Sequence, residues 1–358
     1  QVENRVETVH EEKLNTAICV KLTEENIEDV FNEVDKNTKK SKEIDFIVGG
    51  PPCQAYSLVG RSIKIAKDKM KKKNNETVVD DPRNYLYKLY FQFLSKYKPK
   101  AFVFENVTGL LNAQNGIFYK DFVKLAESIG YNVDNKILKA EDYGVLQSRR
   151  RVIIVGWRSD INEKYPKFRK RNLTCTLNEM LSDLPKLNPG EENNNYQNAP
   201  CDYLIQSGIR TKNDNILTEH ICRPHLERDR EIYRYVINAW NNGHKRLHYD
   251  ELPEKLKTHK NRKSFIDRFK VVEGDTNTCH TMMAHIAKDG HYFIHPDINQ
   301  ARSISVREAA RIQSFPDNYY FEGSRTAAFT QIGNAVPPLM AEVIAKELVR
   351  ILKKHYKY

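Results

Sequence analysis

The sequence predicts an α/β fold, because short apolar runs alternate with helical patterns between residues 43 and 157. The apolar runs have the length and character of buried strands and occupy residues 45–48, 101–104 and 152–156. The helical patterns between them occupy residues 85–97 and 118–129. Strands that alternate with helices in this way are typical of βαβ units, so we expect a parallel sheet.

A second, less regular region follows from about residue 160 to residue 296. It contains an asparagine-rich stretch at 191–198, scattered prolines and much of the histidine. This change in composition and in the regularity of the apolar pattern predicts a smaller, irregular domain inserted into the first. The predicted division is a first part of the α/β domain at 1–158, the inserted domain at 159–296, and a return segment at 297–358.

Regular structure returns at Ser305. Ser305 and Glu308 have the spacing of a capping box, in which two side chains satisfy backbone amides at the start of a helix. A last helix is predicted from Pro338 to about Lys354, with an apolar stripe at three-to-four spacing that is typical of core packing.

Composition excludes several classes of protein. A chain of 358 residues with 40% hydrophobic residues supports a sizeable core, and no apolar run approaches the roughly 20 residues that span a bilayer. Its first residues are polar and lack the apolar segment of a secretory signal. Six single cysteines without a C-x-x-C pair indicate a reduced, cytoplasmic setting. The net charge of +11 favours a polyanionic partner such as nucleic acid, although a biased composition explains it equally well.

The sharpest local signal is Gly49-Gly50-Pro51-Pro52-Cys53-Gln54, directly after the first predicted strand. Ligands of α/β sheets bind beyond the carboxyl ends of strands, which is where this turn places Cys53. The glycines allow close approach of a ligand, and the prolines stiffen the turn. Cys53 is therefore a candidate nucleophile, and the alternative is a small apolar side chain that ends a strand.

Two further sets of candidate residues lie at the ends of predicted strands. Glu105 ends the second strand and would lie on the same rim as Cys53, where it is a candidate proton donor or acceptor; its alternative is a cap or an ion pair. Arg149 and Arg151 precede the third strand, and alternate residues of an extended segment share a face. Together they are candidates for binding a carboxylate or phosphate, or else a solvated edge.

These residues belong to a series of motifs that resembles, in order and spacing, the DNA (cytosine-5) methyltransferases. The motifs are Gly50-Pro51-Pro52-Cys53-Gln54, Glu105-Asn106-Val107, Gln147-x-Arg149-x-Arg151, Arg302-x-x-Ser305-x-Arg307-Glu308-x-x-Arg311 and Gln331-x-Gly333-Asn334-x-Val336-Pro337-Pro338. The resemblance runs from about Asp45 to Glu347 and implies a Rossmann-like, S-adenosylmethionine-dependent methyltransferase sheet. Residues 159–296 then correspond to the target-recognition domain and the flanking parts to the catalytic domain.

The resemblance also implies a mechanism. The Cys53 thiolate adds to carbon 6 of a cytosine flipped out of duplex DNA, and carbon 5 takes the methyl group of S-adenosylmethionine. Glu105 holds a proton at ring nitrogen 3, and Asn106 holds the amino group of the base or braces the loop. Arg149 favours the thiolate and orients the base, while Arg151 supports Glu105 or the loop.

Binding residues are implied in the same way. The implied contacts with the methyl donor are Pro52, Leu86, Asn334 and Ala335. The lysine-rich segment 61–81 resembles the mobile catalytic loop of the family, although such a run is by itself typical of a solvated loop. The expected DNA contacts around this segment are Gln54, Ser57, Arg61, Lys64 and Arg83.

Within the predicted target-recognition domain, Arg223 and Arg228 are candidate DNA contacts. They lie in a basic series with His225, Arg230 and Arg234, which is equally typical of a solvated helix face because acidic residues are interleaved with it. The histidines between 280 and 295 match no zinc spacing, so no metal is expected, and residues 284–295 are predicted to form a hairpin around Lys288-Asp289-Gly290.

One departure from the family concerns the cofactor. The family begins with a strand and a Phe-x-Gly-x-Gly loop, and neither precedes Cys53 here. We therefore expect a second polypeptide to supply that segment, or the segment to be missing from this sequence, and we expect weak binding of the cofactor by the chain alone. The leading hypothesis is a bacterial enzyme of a restriction-modification system that methylates duplex DNA, located in the cytoplasm with the nucleoid. The alternatives are a tRNA cytosine-5 methyltransferase and a DNA-binding subunit that is inactive without a partner chain.

Overall fold

The computed structural model describes residues 18, 20–38, 43–51, 86–213, 215–259 and 266–355. The chain divides into two compact units. The first unit contains residues 1–138, 151–166 and 351–358, and the second contains residues 139–150 and 167–350.

This division differs from the predicted domain boundaries in three respects. Residues 139–150 group with the second unit, and residues 159–166 group with the first. Residues 297–350 group with the residues that precede them rather than with the first 138 residues. The predicted assignment of 159–296 to target recognition and of 297–358 to the catalytic domain concerns function, and it stays a prediction.

The described residues form one four-stranded sheet. Its strands are β1 (Phe46–Gly49), β2 (Ala101–Asn106), β3 (Tyr131–Lys139) and β4 (Arg150–Arg158). Their order across the sheet is β1-β2-β4-β3. Strands β1 and β2 are parallel, whereas β4 is antiparallel to β2. The predicted α/β class is confirmed, but the expectation that all the strands are parallel is wrong.

The physical reason lies in the connection between β3 and β4. A crossover between parallel strands needs about a dozen residues or more, usually with a helix, and residues 140–149 hold only the short 3-10 helix Ala140–Tyr143. Strand β3 was not predicted because its residues are mostly polar. It lies at one end of the strand order, where a strand keeps an exposed edge and tolerates such residues.

Among the described residues, three helices lie wholly within the first unit: α1 (Ile27–Asn37), α2 (Leu86–Tyr97) and α3 (Ile117–Ser128). The predicted helices at 85–97 and 118–129 correspond to α2 and α3 with ends shifted by one residue. Short 3-10 helices at Thr108–Leu110 and Ala113–Gly116 precede α3. Aromatic side chains of α2, β2 and α3 form the core; the Phe104 and Phe122 rings, for example, are 4.8 Å apart, edge to face.

The second unit contains the other helices of the described residues. They are α4 (Leu177–Leu181), α5 (Asp202–Ser207), α6 (Glu227–Gly243), α7 (Val306–Ile312), α8 (Arg325–Asn334) and most of α9 (Pro338–His355), with 3-10 helices at Tyr249–Glu251, Glu254–Leu256 and Ala284–Ala287. The last helix agrees with its prediction, and its apolar stripe is buried at Met340, Val343, Ile344, Leu348 and Ile351. The predicted hairpin at 284–295 is wrong, since Ala284–Ala287 forms a helical turn.

The predicted capping box is confirmed at the start of α7. The Ser305 hydroxyl accepts a hydrogen bond from the Glu308 amide at 3.1 Å, and the Glu308 carboxylate accepts one from the Ser305 amide at 2.7 Å. Arg302 donates to both oxygens of the same carboxylate at 2.8 and 2.7 Å. Burial opposes ionisation of Glu308, but Arg302, with smaller contributions from His295 and His220, lowers the pKa of the carboxyl well below its usual range.

Buried histidines of the second unit predict how stability depends on pH. Burial lowers the pKa of both His280 and His295 to about 4, whereas an unfolded histidine titrates near about 6.5. Because the folded state holds these rings neutral, they contribute in full to the free energy of unfolding above about pH 6.5. This contribution is lost as the pH falls towards 4. Thermal melts at pH 7.5, 6 and 5 should show a falling Tm. The His280→Gln variant should show a shallower fall, and a Tm that is constant from pH 7.5 to pH 5 would contradict the assignment.

No helix in the described part of the chain has the length and apolar character needed to cross a membrane.

Candidate active site

The carboxyl ends of β1 and β2 lie side by side in the first unit. Their parallel register pairs Gly49 with Phe104, so the chain that leaves β1 at Gly50 runs beside Glu105. In α/β proteins this end of the sheet is where ligands bind. The predicted position of Glu105 beside the turn that leads to residue 53 is therefore compatible with the sheet geometry.

Glu105 forms an ion pair with Arg151. The Arg151 Nε atom lies 2.8 Å from Oε1 of Glu105, and the two side chains are only 14% and 15% exposed. The sheet register explains the contact: Glu105 pairs with Ile153 of β4, and Arg151 is two residues earlier on the same face of that strand. A long side chain reaches such a diagonal neighbour, so β4 holds the Glu105 carboxylate from one side.

Glycine at position 50 leaves room for the other carboxylate oxygen. A Cβ atom on Gly50 would lie 3.0 Å from Oε2 of Glu105. The backbone of the turn thus approaches the carboxylate so closely that a side chain at position 50 would crowd it. Asn106 binds the same turn, because its side-chain amide donates to the Pro51 carbonyl at 3.4 Å and its Oδ1 accepts from the Val107 amide at 2.8 Å.

A Gly50→Ala substitution should lower kcat by about 10-fold, because the added methyl group must displace the Glu105 carboxylate or the turn beside it. Steady-state kinetics with Gly208→Ala as a control checks this. Gly208 ends α5 in the second unit, and a Cβ there meets no atom within 4 Å, although its φ of +75° adds backbone strain. Gly208→Ala should lower Tm and leave kcat unchanged. Equal kcat values for Gly50→Ala and wild type would refute the proposed crowding.

Several predicted site residues lie outside the described residues. They are the candidate nucleophile Cys53, the cofactor contact Pro52, and the DNA contacts Gln54, Ser57, Arg61, Lys64 and Arg83. Leu86 is described and begins α2, where it packs against the small cluster of Ile27, Phe31 and Leu89. Its predicted contact with the methyl donor stays a prediction.

Arg149 binds backbone carbonyl groups in the second unit. Its Nη1 donates to Met282 O at 2.7 Å, and its Nη2 donates to Gly333 O at 3.2 Å and to Ala335 O at 2.8 Å. A shared carboxylate or phosphate was one of the alternatives for Arg149 and Arg151, and separate roles were implied by the resemblance. In the structure Arg149 binds carbonyl groups and Arg151 pairs with a carboxylate. The predicted contact of Arg149 with the thiolate and the base stays a prediction beside these observed contacts.

Asn334 and Ala335, the predicted cofactor contacts of the second unit, lie at the carboxyl end of α8. Asn334 is the last residue of the helix and is exposed, and Ala335 follows it in an extended conformation. The chain therefore leaves the helix directly after the exposed side chain of Asn334.

The two candidate DNA contacts of the second unit differ in their surroundings. Arg223 is partly buried and donates to Lys288 O at 3.0 Å and to Ile286 O at 2.6 Å, which gives it a packing role. Arg228 is exposed near the start of α6 and lies 3.7 Å from Asp229. Their predicted DNA contacts stay predictions. Arg230 and Arg234 both pair with Glu227, as expected of a solvated helix face.

The histidines of the 280–295 region form hydrogen bonds within the second unit. His280 Nε2 bonds the Tyr292 carbonyl, His291 Nδ1 lies 2.7 Å from the Tyr233 hydroxyl, and His295 Nδ1 accepts from the Asp297 amide at 3.0 Å. Across the described ranges, no group of three or more histidine, cysteine or acidic side chains is arranged to hold a metal ion.

Sequence reasoning missed two residues that organise the second unit, Gln147 and Gln313. The side chain of Gln147 donates to Gln313 Oε1 at 2.6 Å and accepts from the Met282 amide at 2.9 Å. Both glutamines are buried. The signal was present for Gln147, which opens the Gln147-x-Arg149-x-Arg151 motif and shares an alternate-residue face with Arg149.

The mixed α/β sheet thus presents a carboxylate, paired with an arginine, beside a glycine-proline turn at the carboxyl ends of its parallel strands. The family model described as C-5 cytosine-specific DNA methylase matches residues 6–350. The chain therefore belongs to the C-5 cytosine-specific DNA methylase family, and it is a DNA (cytosine-5-)-methyltransferase.

Individual relatives agree. The chain is 45% identical over 335 residues to the type II methyltransferase M.Bpa9945I of Bacillus paralicheniformis, an alignment that covers 88% of this chain and 73% of that protein. It is 30% identical to the type II methyltransferase M.AgeI of Thalassovita gelatinovora, with 86% and 83% covered. A solved structure assigned as a DNA modification methyltransferase of an Escherichia coli prophage superposes with a TM-score of 0.61 at 24% identity, covering 93% of this chain and 84% of that one. The last comparison supports the fold.

Proposed function

We propose that this chain methylates carbon 5 of a flipped-out cytosine in duplex DNA, through a transient covalent bond between Cys53 and carbon 6 of the base. The observation that supports this proposal most directly is the Glu105 carboxylate, which is held by Arg151 and flanked by Gly50. Cys53 follows Pro51 by two residues, and consecutive Cα atoms are about 3.8 Å apart, so covalent geometry limits the distance between those two Cα atoms to about 8 Å.

The proposed chemistry follows from the residues. Bond formation between the Cys53 sulfur and carbon 6 moves the electrons of the 5,6 double bond into the ring, where Glu105 supplies a proton at nitrogen 3. Carbon 5 is then a nucleophile and takes a methyl group from a sulfonium donor, whose methyl–sulfur bond breaks to leave a neutral thioether. Transfer of the proton on carbon 5 to water re-forms the 5,6 double bond and breaks the carbon–sulfur bond, which releases the thiolate, and the proton on nitrogen 3 returns to Glu105. Without the proton from Glu105, the ring would have to carry the added negative charge.

Other residues of the first unit orient these groups. Arg151 fixes one oxygen of Glu105 and leaves Oε2 on the side of Gly50. Asn106 binds the Pro51 carbonyl, so it ties the end of β2 to the turn that precedes Cys53. This contact favours bracing of the loop over the alternative role predicted for Asn106, contact with the amino group of the cytosine.

The proposed methyl donor is S-adenosylmethionine, which supplies an electrophilic methyl group when bound. Two of the residues proposed to contact it retain accessible surface, since Leu86 is partly exposed and Asn334 is exposed. Residues 1–48 contain no Phe-x-Gly-x-Gly motif, and we propose that such a loop is supplied either by a second polypeptide or by a segment that is missing from this sequence. Adding that polypeptide should lower KM for S-adenosylmethionine, and ordinary micromolar affinity of the 358-residue chain alone would contradict this part of the proposal.

We further propose that the enzyme protects host DNA within a bacterial restriction-modification system, in the cytoplasm at the nucleoid. Support comes from the names of its relatives, which are type II methyltransferases, and from its net charge of +11. Residues 159–296 are proposed to read the target sequence, and Arg223 and Arg228 to contact DNA there.

Bisulfite sequencing of DNA from an expressing host tests the reaction and the target together. The expected result is that one cytosine within a short, recurring sequence resists conversion by bisulfite. Transfer of tritiated methyl groups to purified duplex DNA and to tRNA, measured side by side, separates the two polymers. Methylation confined to tRNA would overturn the choice of DNA, and methylation of neither polymer, with a partner chain supplied, would favour a DNA-binding subunit.

A further inference from the structure

The guanidinium of Arg149 contacts both sides of an exposed residue. Its Nη2 atom donates to the carbonyl before Asn334, that of Gly333, and to the carbonyl after it, that of Ala335. Arg149 is only 1% exposed, whereas the Asn334 side chain faces solvent. The backbone that carries Asn334 is therefore fixed from the protein interior at both of its neighbours.

These contacts also complete the end of a helix. The last carbonyl groups of an α-helix have no partner within the helix, and the end they form carries a partial negative charge. At the end of α8 the Gly333 carbonyl is bound by Arg149, and the Ile332 carbonyl is bound by the Gln313 side chain at 2.6 Å. A buried cation and an amide thus take the place of water at this terminus.

The same end of α8 packs closely against the segment that contains Met283 and Ala284. A Cβ atom on Gly333 would lie 2.2 Å from the Ala284 amide nitrogen, so only glycine permits this approach of two backbones. Arg149 binds the Met282 carbonyl in that segment, and Gln147 accepts from the Met282 amide. Residues 282–284 are therefore packed against the carboxyl end of α8 and are held there by hydrogen bonds of Arg149 and Gln147.

We propose that Arg149 and Gln147 are positioning residues that fix the turn carrying Asn334 and Ala335, and thereby set the affinity for the methyl donor. The inference rests on the proposed function, in which Asn334 and Ala335 contact S-adenosylmethionine. It assigns Arg149 an action through the turn that carries the proposed cofactor contacts. It follows that loss of Arg149 affects the binding of the donor more than the chemical step.

Calorimetric titration with S-adenosylmethionine in the absence of DNA, and steady-state kinetics of the active enzyme, test the inference, each with any partner chain supplied. The Kd from the titration should change in each variant by the same factor as the KM given below. Arg149→Gln should raise KM for S-adenosylmethionine by about 10-fold, because small displacements of a binding group are costly, while KM for DNA stays within about 2-fold. Arg149→Lys keeps the charge but loses the fork that reaches two carbonyls, and it should give an intermediate KM. Arg350→Gln is the matched control, since Arg350 forms an exposed pair with Glu347 at 2.8 Å.

A double-mutant cycle with Asn334→Ala separates positioning from general stability. If Arg149 acts through Asn334, the double variant should have nearly the KM of the weaker-binding single variant. Multiplicative effects of the two substitutions would overturn the inference, as would an unchanged KM for the donor in Arg149→Gln. Should Arg149→Gln fail to fold, Gln313→Ala removes the bond to Ile332 O and should raise the same KM by about 3-fold.

The outcome for the wild type distinguishes this inference from the proposed function. Absence of methyl transfer by wild type with all components present counts against the proposed function. An active wild type in which Asn334→Ala does not change KM for the donor counts against the positioning role alone.

Discussion

Replacing Cys53 with alanine should lower the rate of methyl transfer by at least about 10³-fold, because alanine has no nucleophilic atom that can bond to carbon 6 of the cytosine. Affinity for duplex DNA should stay within about 2-fold, since the substitution removes a reacting atom and no charge that contacts phosphate. Single-turnover transfer of tritiated methyl groups and a DNA-binding titration measure the two effects separately.

The matched control is Cys175→Ala. Cys175 is a half-buried free cysteine in the second unit, outside the proposed site, and its removal should leave the transfer rate unchanged. A Cys53→Ala enzyme with more than about one-tenth of the wild-type rate would contradict covalent catalysis at this position.

Replacing Glu105 with glutamine should give the second largest effect. Loss of a general acid costs about 10² to 10⁴ in rate, and the amide keeps the shape of the carboxyl group but cannot deliver a proton to nitrogen 3. We therefore expect kcat to fall in this range, with KM for DNA little changed. The buried Arg151 guanidinium loses its anionic partner, so Tm should fall as well.

Two further variants separate chemistry from stability. Arg151→Gln removes the same ion pair and keeps the acid, so it should lower Tm to a similar extent while lowering kcat less than Glu105→Gln does. Glu127→Gln, at an exposed position of α3, should behave as wild type. Equal kcat values for Glu105→Gln and Arg151→Gln would indicate that Glu105 matters for structure and not for proton transfer.

The parts of the molecule that sequence predicted well are those with a strong local signal. The helices α2, α3 and α9 have apolar residues at helical spacing, and the capping box at Ser305 depends on residues three positions apart. The neighbouring positions of Glu105 and the turn after β1 could also be predicted, because parallel strands present their carboxyl ends at the same edge.

What sequence did not predict depends on contacts between residues distant in the chain. The antiparallel direction of β4 follows from the link between β3 and β4, and β3 itself is too polar to be recognised as a strand. The partners of Arg149 lie more than 130 positions away along the chain, and only the folded chain shows that they are carbonyl groups. A motif identified this residue without giving its role.

Trapping on DNA that contains 5-fluorocytosine measures the proposed bond directly. Fluorine on carbon 5 cannot leave as a proton does, so the cysteine that has added to carbon 6 stays attached. With the methyl donor and any partner chain supplied, intact mass should show one protein joined to one DNA strand and one methyl group, and peptide mapping should place the link at Cys53. An active wild-type enzyme that yields no adduct, or an equal adduct from Cys53→Ala, would contradict the account.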